Sequence, residues 1–99
     1  MIQIEVPVQE ISALCQRRHI RRLALFGSVL RKDFRPESDV DVLVEFEPGR
    51  TPGFAFVSIQ EELSALLGNR KVDLVSPKFL NRRIRDQVLQ DAELVYEKK

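Results

Sequence analysis

Two aspartates one residue apart, Asp39-Val40-Asp41, stand at the head of an apolar run, Val42 to Phe46. Ten residues separate that pair from Gly27-Ser28, which breaks an earlier apolar run, Leu23 to Phe26. In an extended chain residues i and i+2 share a face, so Asp39 and Asp41 project side by side. Neighbouring carboxylates repel and lose hydration when enclosed, a cost that a cation between them removes. Oxygen ligands without nearby His or Cys favour Mg²⁺ or Mn²⁺ over zinc. Gly27 permits close backbone approach of a ligand. Ser28 falls where a helix is expected to begin, with free N–H groups and the positive dipole end facing outward. Such a terminus attracts anions, phosphate above all. A cation site and a phosphate cradle on neighbouring strands together describe a nucleoside triphosphate site.

The elements that must position these groups follow from periodicity. After a short leader, residues 1–7, a helix is expected over Val8 to Arg18, with Val8, Ile11, Leu14 and Cys15 inward. Leu23–Phe26 is the first strand, and a helix from about Ser28 to Asp33 follows it. Arg31 then lies one turn beyond Ser28, placed to pair with Asp39 or to reach a phosphate. Pro36 ends any helix, and Val42–Phe46 is the second strand. The Pro- and Gly-rich loop 48–53 leads to an amphipathic helix, Phe54–Leu67, stopped by Gly68-Asn69. In the strand Lys71–Val75, Asp73 points away from Val72 and Leu74 and supplies a third carboxylate. Strand alternation also puts Leu43 and Val75 on the carboxylate face, leaving an apolar surface that calls for a cover. A basic helix is expected over about Lys78 to Gln90, with Phe79, Leu80, Ile84, Val88 and Leu89 inward. Leu94–Tyr96 completes the set as a last short strand.

Ninety-nine residues support one domain, 1–99, with its own core. A charged fraction of 31% beside 43% apolar residues suits a globular chain rather than a disordered one. The net charge of +1 gives no strong nucleic-acid signal. No apolar stretch is long enough to span a bilayer, and the single cysteine excludes an internal disulfide, which suits a cytoplasmic setting. Cys15 and His19 are too few for a zinc site and read as packing. Arg17, Arg18, Arg21 and Arg22 read first as a solvated, helix-terminating cluster, and second as a rim that attracts a triphosphate.

Gly27-Ser28, the spacer and Asp39-Val40-Asp41, followed by Asp73, resemble the signature of the DNA polymerase β-like nucleotidyltransferase superfamily. The chain's size is similar to that of the minimal nucleotidyltransferases, the MNT domains, many of which act as antitoxins beside HEPN-domain toxins. The resemblance implies an α+β fold of the polymerase β palm type, a mixed sheet of about four strands with helices on one face. It implies that Asp39, Asp41 and Asp73 hold two Mg²⁺ ions and carry catalysis, and that Gly27, Ser28 and Arg31 bind the nucleotide. Where the fuller pattern often has a small residue and a glycine around the arginine, this chain has Leu30 and Lys32. The implied activity is transfer of AMP from ATP to a hydroxyl, such as tyrosine, of a cognate HEPN toxin, within a homo- or hetero-oligomer. Two alternatives remain open: an antitoxin that acts by occlusion, and the nucleotide-binding subunit of a two-chain transferase.

Overall fold

In the computed structural model, which describes residues 2–98, four strands form one sheet: β1 (Ile20–Phe26), β2 (Val40–Phe46), β3 (Val72–Val75) and β4 (Glu93–Glu97). Their order is β3-β2-β1-β4, with β1 antiparallel to β2 and β4, and β2 parallel to β3. A parallel pair needs a crossover, and α2 (Ala55–Leu66) provides it. Helix α1 (Val8–Arg17) precedes β1, and α3 (Arg82–Asp91) lies between β3 and β4 in sequence. This is the α+β mixed sheet that the resemblance implies.

Alternation sorts the strands. Leu23, Leu25, Val40, Val42, Val44, Val72 and Leu74 are buried on one face, where they meet Ile11, Leu14 and Cys15 of α1 and Ile59 and Leu63 of α2. Leu63→Ala would open a cavity in this layer, and such truncations cost about 2–5 kcal/mol. A lowered urea midpoint with an unchanged slope is the expected result. The leader belongs to the core too. Ile2, Ile4 and Val6 pack against it, and the Gln3 N–H donates to the Val29 carbonyl at 2.9 Å, tying the leader to the turn after β1.

That turn is shorter than its sequence suggests. The helix expected from Ser28 to Asp33 is a single 3-10 turn, Gly27–Leu30, with no side-chain cap. Glycine and a β-branched valine are poor helix formers, and full burial of Val29 fixes the turn before a second can form. Arg31 is already extended, its N–H donating to the Ser28 carbonyl at 2.9 Å. It is therefore not stacked one α-turn above Ser28.

The basic helix also starts later than its sequence suggests. Pro77–Phe79 is a 3-10 turn, and α3 starts only at Arg82, because Asn81 caps it by accepting from the Arg83 N–H at 3.0 Å. None of its residues is buried. Phe79, Ile84 and Leu89 face outward instead of inward, with Phe79 81% exposed. Leu43, by contrast, is buried and Val75 half-buried, so the apolar exposure expected at these two strand positions is found instead at Phe79, Ile84 and Leu89, and at Leu94 on β4.

Three of the four clustered arginines have structural partners. Arg17 and Arg18 bridge to Glu62 of α2 at 2.8 and 2.9 Å, and Arg22 joins Glu45 and Glu97 across three strands at 3.2 and 2.8 Å. Among the described residues no helix is long and apolar enough to cross a membrane.

Candidate functional site

Strand register assembles the site. Phe26, the last residue of β1, pairs with Asp41 of β2, so the turn that follows arrives beside that carboxylate. Gly27 has φ +76°, and a Cβ there would overlap Oδ2 of Asp41 and lie 3.3 Å from its Cγ. Positive φ and lack of room both demand glycine. Ser28 Oγ donates to the Asp39 carbonyl at 3.5 Å, a long contact that leaves the hydroxyl beside the Asp39–Asp41 backbone.

On the other side of β2, the Val40 N–H donates to the Lys71 carbonyl at 2.8 Å and opens the parallel ladder. Asp41 then stands directly beside Asp73, while Val72 and Leu74 turn into the core. The edge of β3 is partly covered, since the Leu74 N–H donates to Gln60 of α2 at 3.3 Å. The loop that delivers Asp39 is pinned by Arg70. Its Nη1 donates to the Pro36 carbonyl at 3.3 Å, and its guanidinium sits 5.6 Å over the Phe34 ring.

Asp41 records the result electrostatically. Burial pushes its carboxyl above the ordinary carboxylate range, Asp73 and then Asp39 push it further, and Arg31 pulls it back. The structure thus brings Gly27, Arg31, Asp39 and Asp73 to bear on Asp41, with Ser28 against the same strand. Sequence reasoning placed Arg31 to pair with Asp39 or to reach a phosphate; the cation beside Asp39 is Lys71, Nζ to Oδ2 at 3.9 Å. Lys71 was missed, although its position two residues before Asp73 puts it on the same face. Both partners are exposed, and such pairs contribute about 0–1 kcal/mol.

Among the described residues no three acidic, His or Cys side chains already stand close enough together to hold an ion. The backbone register, however, sets Asp41 beside Asp73, and Asp39, two residues before Asp41, lies within electrostatic reach of it, with Arg31 as the one cation offsetting them there. That donor set fits a hard divalent cation such as Mg²⁺. The Cys15–His19 pair offers no competing chemistry. Cys15 is buried with its thiol pushed up to about 12, and His19 leaves α1 at φ 58°.

A carboxyl whose value is raised in the fold holds its proton more tightly folded than unfolded. Its contribution to metal-free stability is therefore largest in acid and falls as pH rises through the raised value. Asp41→Asn removes this penalty. In EDTA the variant should melt above the wild type near pH 7, with the gap closing near pH 4. Like charges on adjacent strands cost about 0.2–1 kcal/mol, and each kcal/mol shifts Tm by roughly 4–8 °C at this size. A variant that melts below the wild type at neutral pH would contradict the electrostatic reading.

Known proteins place these features. The model of the polymerase beta nucleotidyltransferase family matches residues 9–99. The protein adenylyltransferase MntA of Thermococcus cleftensis is 42% identical over 84 residues, 84% of this chain and 80% of that protein. A candidate protein adenylyltransferase of Methanocaldococcus jannaschii is 35% identical over 79 residues, 78% of this chain and 76% of the relative. A solved structure described as a candidate minimal nucleotidyltransferase superposes with a TM-score of 0.73 at 41% identity, covering 87% of this chain and 86% of that one. A toxin–antitoxin structure with AMP-PNP shares the fold at a TM-score of 0.71 and 19% identity, over 95% of this chain and 76% of that one. The register that seats a Gly-Ser turn against Asp41, the carboxylates on β2 and β3, and the match over nearly the whole chain agree: it belongs to the polymerase β-type nucleotidyltransferase family.

Proposed function

We propose that this chain is a protein adenylyltransferase that moves AMP from ATP to a hydroxyl, such as tyrosine, of a cognate HEPN toxin. The observation that carries this reading is the ladder pairing of Asp41 with Asp73, with the Gly27 backbone against the Asp41 carboxylate. The names of the relatives support it. So does a structure with the same fold, at 20% identity, of a tri-AMPylated Shewanella oneidensis HEPN toxin with its MNT antitoxin.

Asp39, Asp41 and Asp73 would hold Mg²⁺, two ions in the reading proposed here. When bound, the metal neutralises charge on the reacting phosphates and stabilises the incoming and leaving oxygens. The chain's own groups do the rest. Backbone N–H groups of the turn at Gly27 and the Ser28 hydroxyl bind the β- and γ-phosphates. Arg31, exposed and close enough to act on Asp41, faces the charge of the departing group. The acceptor oxygen attacks the α-phosphorus, and its proton passes to the Asp73 carboxylate. As that O–P bond forms, the bond from the α-phosphorus to the oxygen bridging to the β-phosphorus breaks. Pyrophosphate leaves with the electron pair. Positioning and electrostatics supply the acceleration.

Incubation of the chain with α-labelled ATP, Mg²⁺ and the cognate HEPN protein should transfer label to that protein. No label with folded components would remove the enzymatic reading. One observation favours occlusion as a second reading: Phe54, Phe79 and Leu89 are exposed apolar side chains able to bind a partner without chemistry. Neutralisation that persists without any label would support it.

A further inference from the structure

The site described so far has no visible seat for the second substrate. A groove of about 820 Å³ opens beside it, with Phe46, Phe56, Val75, Phe79 and Leu89 among its walls. Val75 follows Asp73 by two residues on the same face of β3. The groove therefore begins about 7 Å along the strand from the carboxylates, at roughly 3.3 Å per residue.

Two of its three charged groups are cations. Lys78 and Arg85 line it, and neither has a carboxylate partner among the described residues. Arg85 donates from Nη2 to the Leu80 carbonyl at 3.1 Å, but its Nε is buried with no hydrogen-bond partner among the described residues. A buried donor left unpaired is destabilising, so this guanidinium has hydrogen-bonding capacity that the described residues do not use. Glu45, also on the wall, is engaged by Arg22 at 3.2 Å, an arginine it shares with Glu97, so the two cations outnumber it on the groove. The groove is thus apolar with a net positive rim. It is far larger than a purine base, and the two cations would find no charge on one.

We propose that this groove seats an apolar, acidic segment of the acceptor protein and leads its hydroxyl along the sheet to the carboxylates. The inference rests on the adenylyl-transfer reading of the site. Apolar residues of the segment would cover Phe79 and Leu89, and its carboxylates would pair with Lys78 and Arg85.

Two synthetic tyrosine peptides test it, one flanked by Leu and Glu and the other by Ser and Lys, with the full chain, Mg²⁺ and α-labelled ATP. The wild type should label the Leu/Glu peptide at least about tenfold faster, equivalent to about 1.4 kcal/mol. Lys78→Glu and Phe79→Asp, both at exposed positions, should each reduce that labelling about tenfold while leaving the Kd for Mg-ATP within about twofold. Lys78→Glu should also shift preference toward the Lys-flanked peptide, a reversal that mere loss of structure does not produce. Equal labelling of both peptides, or labelling of neither while the cognate HEPN protein is labelled under the same conditions, overturns the groove assignment. So does a weakened Kd for Mg-ATP in the two variants, which would make the groove part of the nucleotide site. Absence of Mg-ATP binding by the wild type is a different failure, and it overturns the adenylyl-transfer reading beneath.

Discussion

Replacing Asp39 and Asp41 together by asparagine should lower AMP transfer to the HEPN partner by on the order of 10³-fold or more while leaving the partner bound. Removing one preorganised electrostatic group commonly costs about 10²–10³ in kcat, and this double change removes two proposed ligands of the same cation. Asparagine keeps size and one oxygen, so β2 should stay in register with β1 and β3. The fold should not suffer, because relief of repulsion at Asp41 stabilises the metal-free chain. Label incorporation and partner co-elution, measured on the same samples, separate chemistry from binding. If toxin neutralisation survives the double change at full strength, occlusion rather than transfer is the mechanism. If label transfer survives, these two aspartates are not the metal ligands.

Gly27→Ala should be nearly as damaging, for a different reason. At φ +76° a side chain is strained by about 1–2 kcal/mol. More importantly, the added Cβ would collide with Oδ2 of Asp41 and force that carboxylate away. Displacing a catalytic group by about 1 Å is enough to lose 10²-fold in rate. Kinetics should show a lower kcat together with a higher KM for ATP, since the phosphate-binding turn and the proposed ligand shift together. Gly68→Ala is the matched control. Gly68 has φ +80° but open space where the Cβ would go, so it should lose stability and keep transfer activity. Equal activity losses in the two variants would mean that backbone strain alone, not the contact with Asp41, explains the effect.

Much of the site could be read in the sequence because strand parity is local. The i, i+2 spacing of Asp39 and Asp41, and the alternation of Asp73 with Val72 and Leu74, fix faces before any tertiary contact forms. The four strands and the crossover helix were legible for the same reason, through apolar runs bounded by Gly, Pro and Asn. Local pattern failed where tertiary contacts decide. Whether Gly27–Leu30 makes a 3-10 turn or a longer helix depends on burying Val29 and on the Gln3 contact to its carbonyl, which come from elsewhere in the chain. The start of α3 depends on Asn81 acting as a cap, a role its side chain signals but the apolar period around Phe79 and Leu80 obscures. The outward turn of Phe79, Ile84 and Leu89 was hidden because helical periodicity reports an apolar stripe without saying what covers it. Among the described residues these three side chains stay exposed, and the proposed acceptor segment would cover part of them.

The convergence of three carboxylates on a cation beside a phosphate-binding turn is most directly tested by the structure of the chain with a non-hydrolysable ATP analogue and Mn²⁺ in place of Mg²⁺. The account predicts anomalous density within about 2.0–2.3 Å of Asp39 and Asp41 oxygens, Asp73 completing the shell, and the β- and γ-phosphates on the Gly27–Ser28 turn. Metal density away from these aspartates, or a triphosphate bound elsewhere on the sheet, would contradict it.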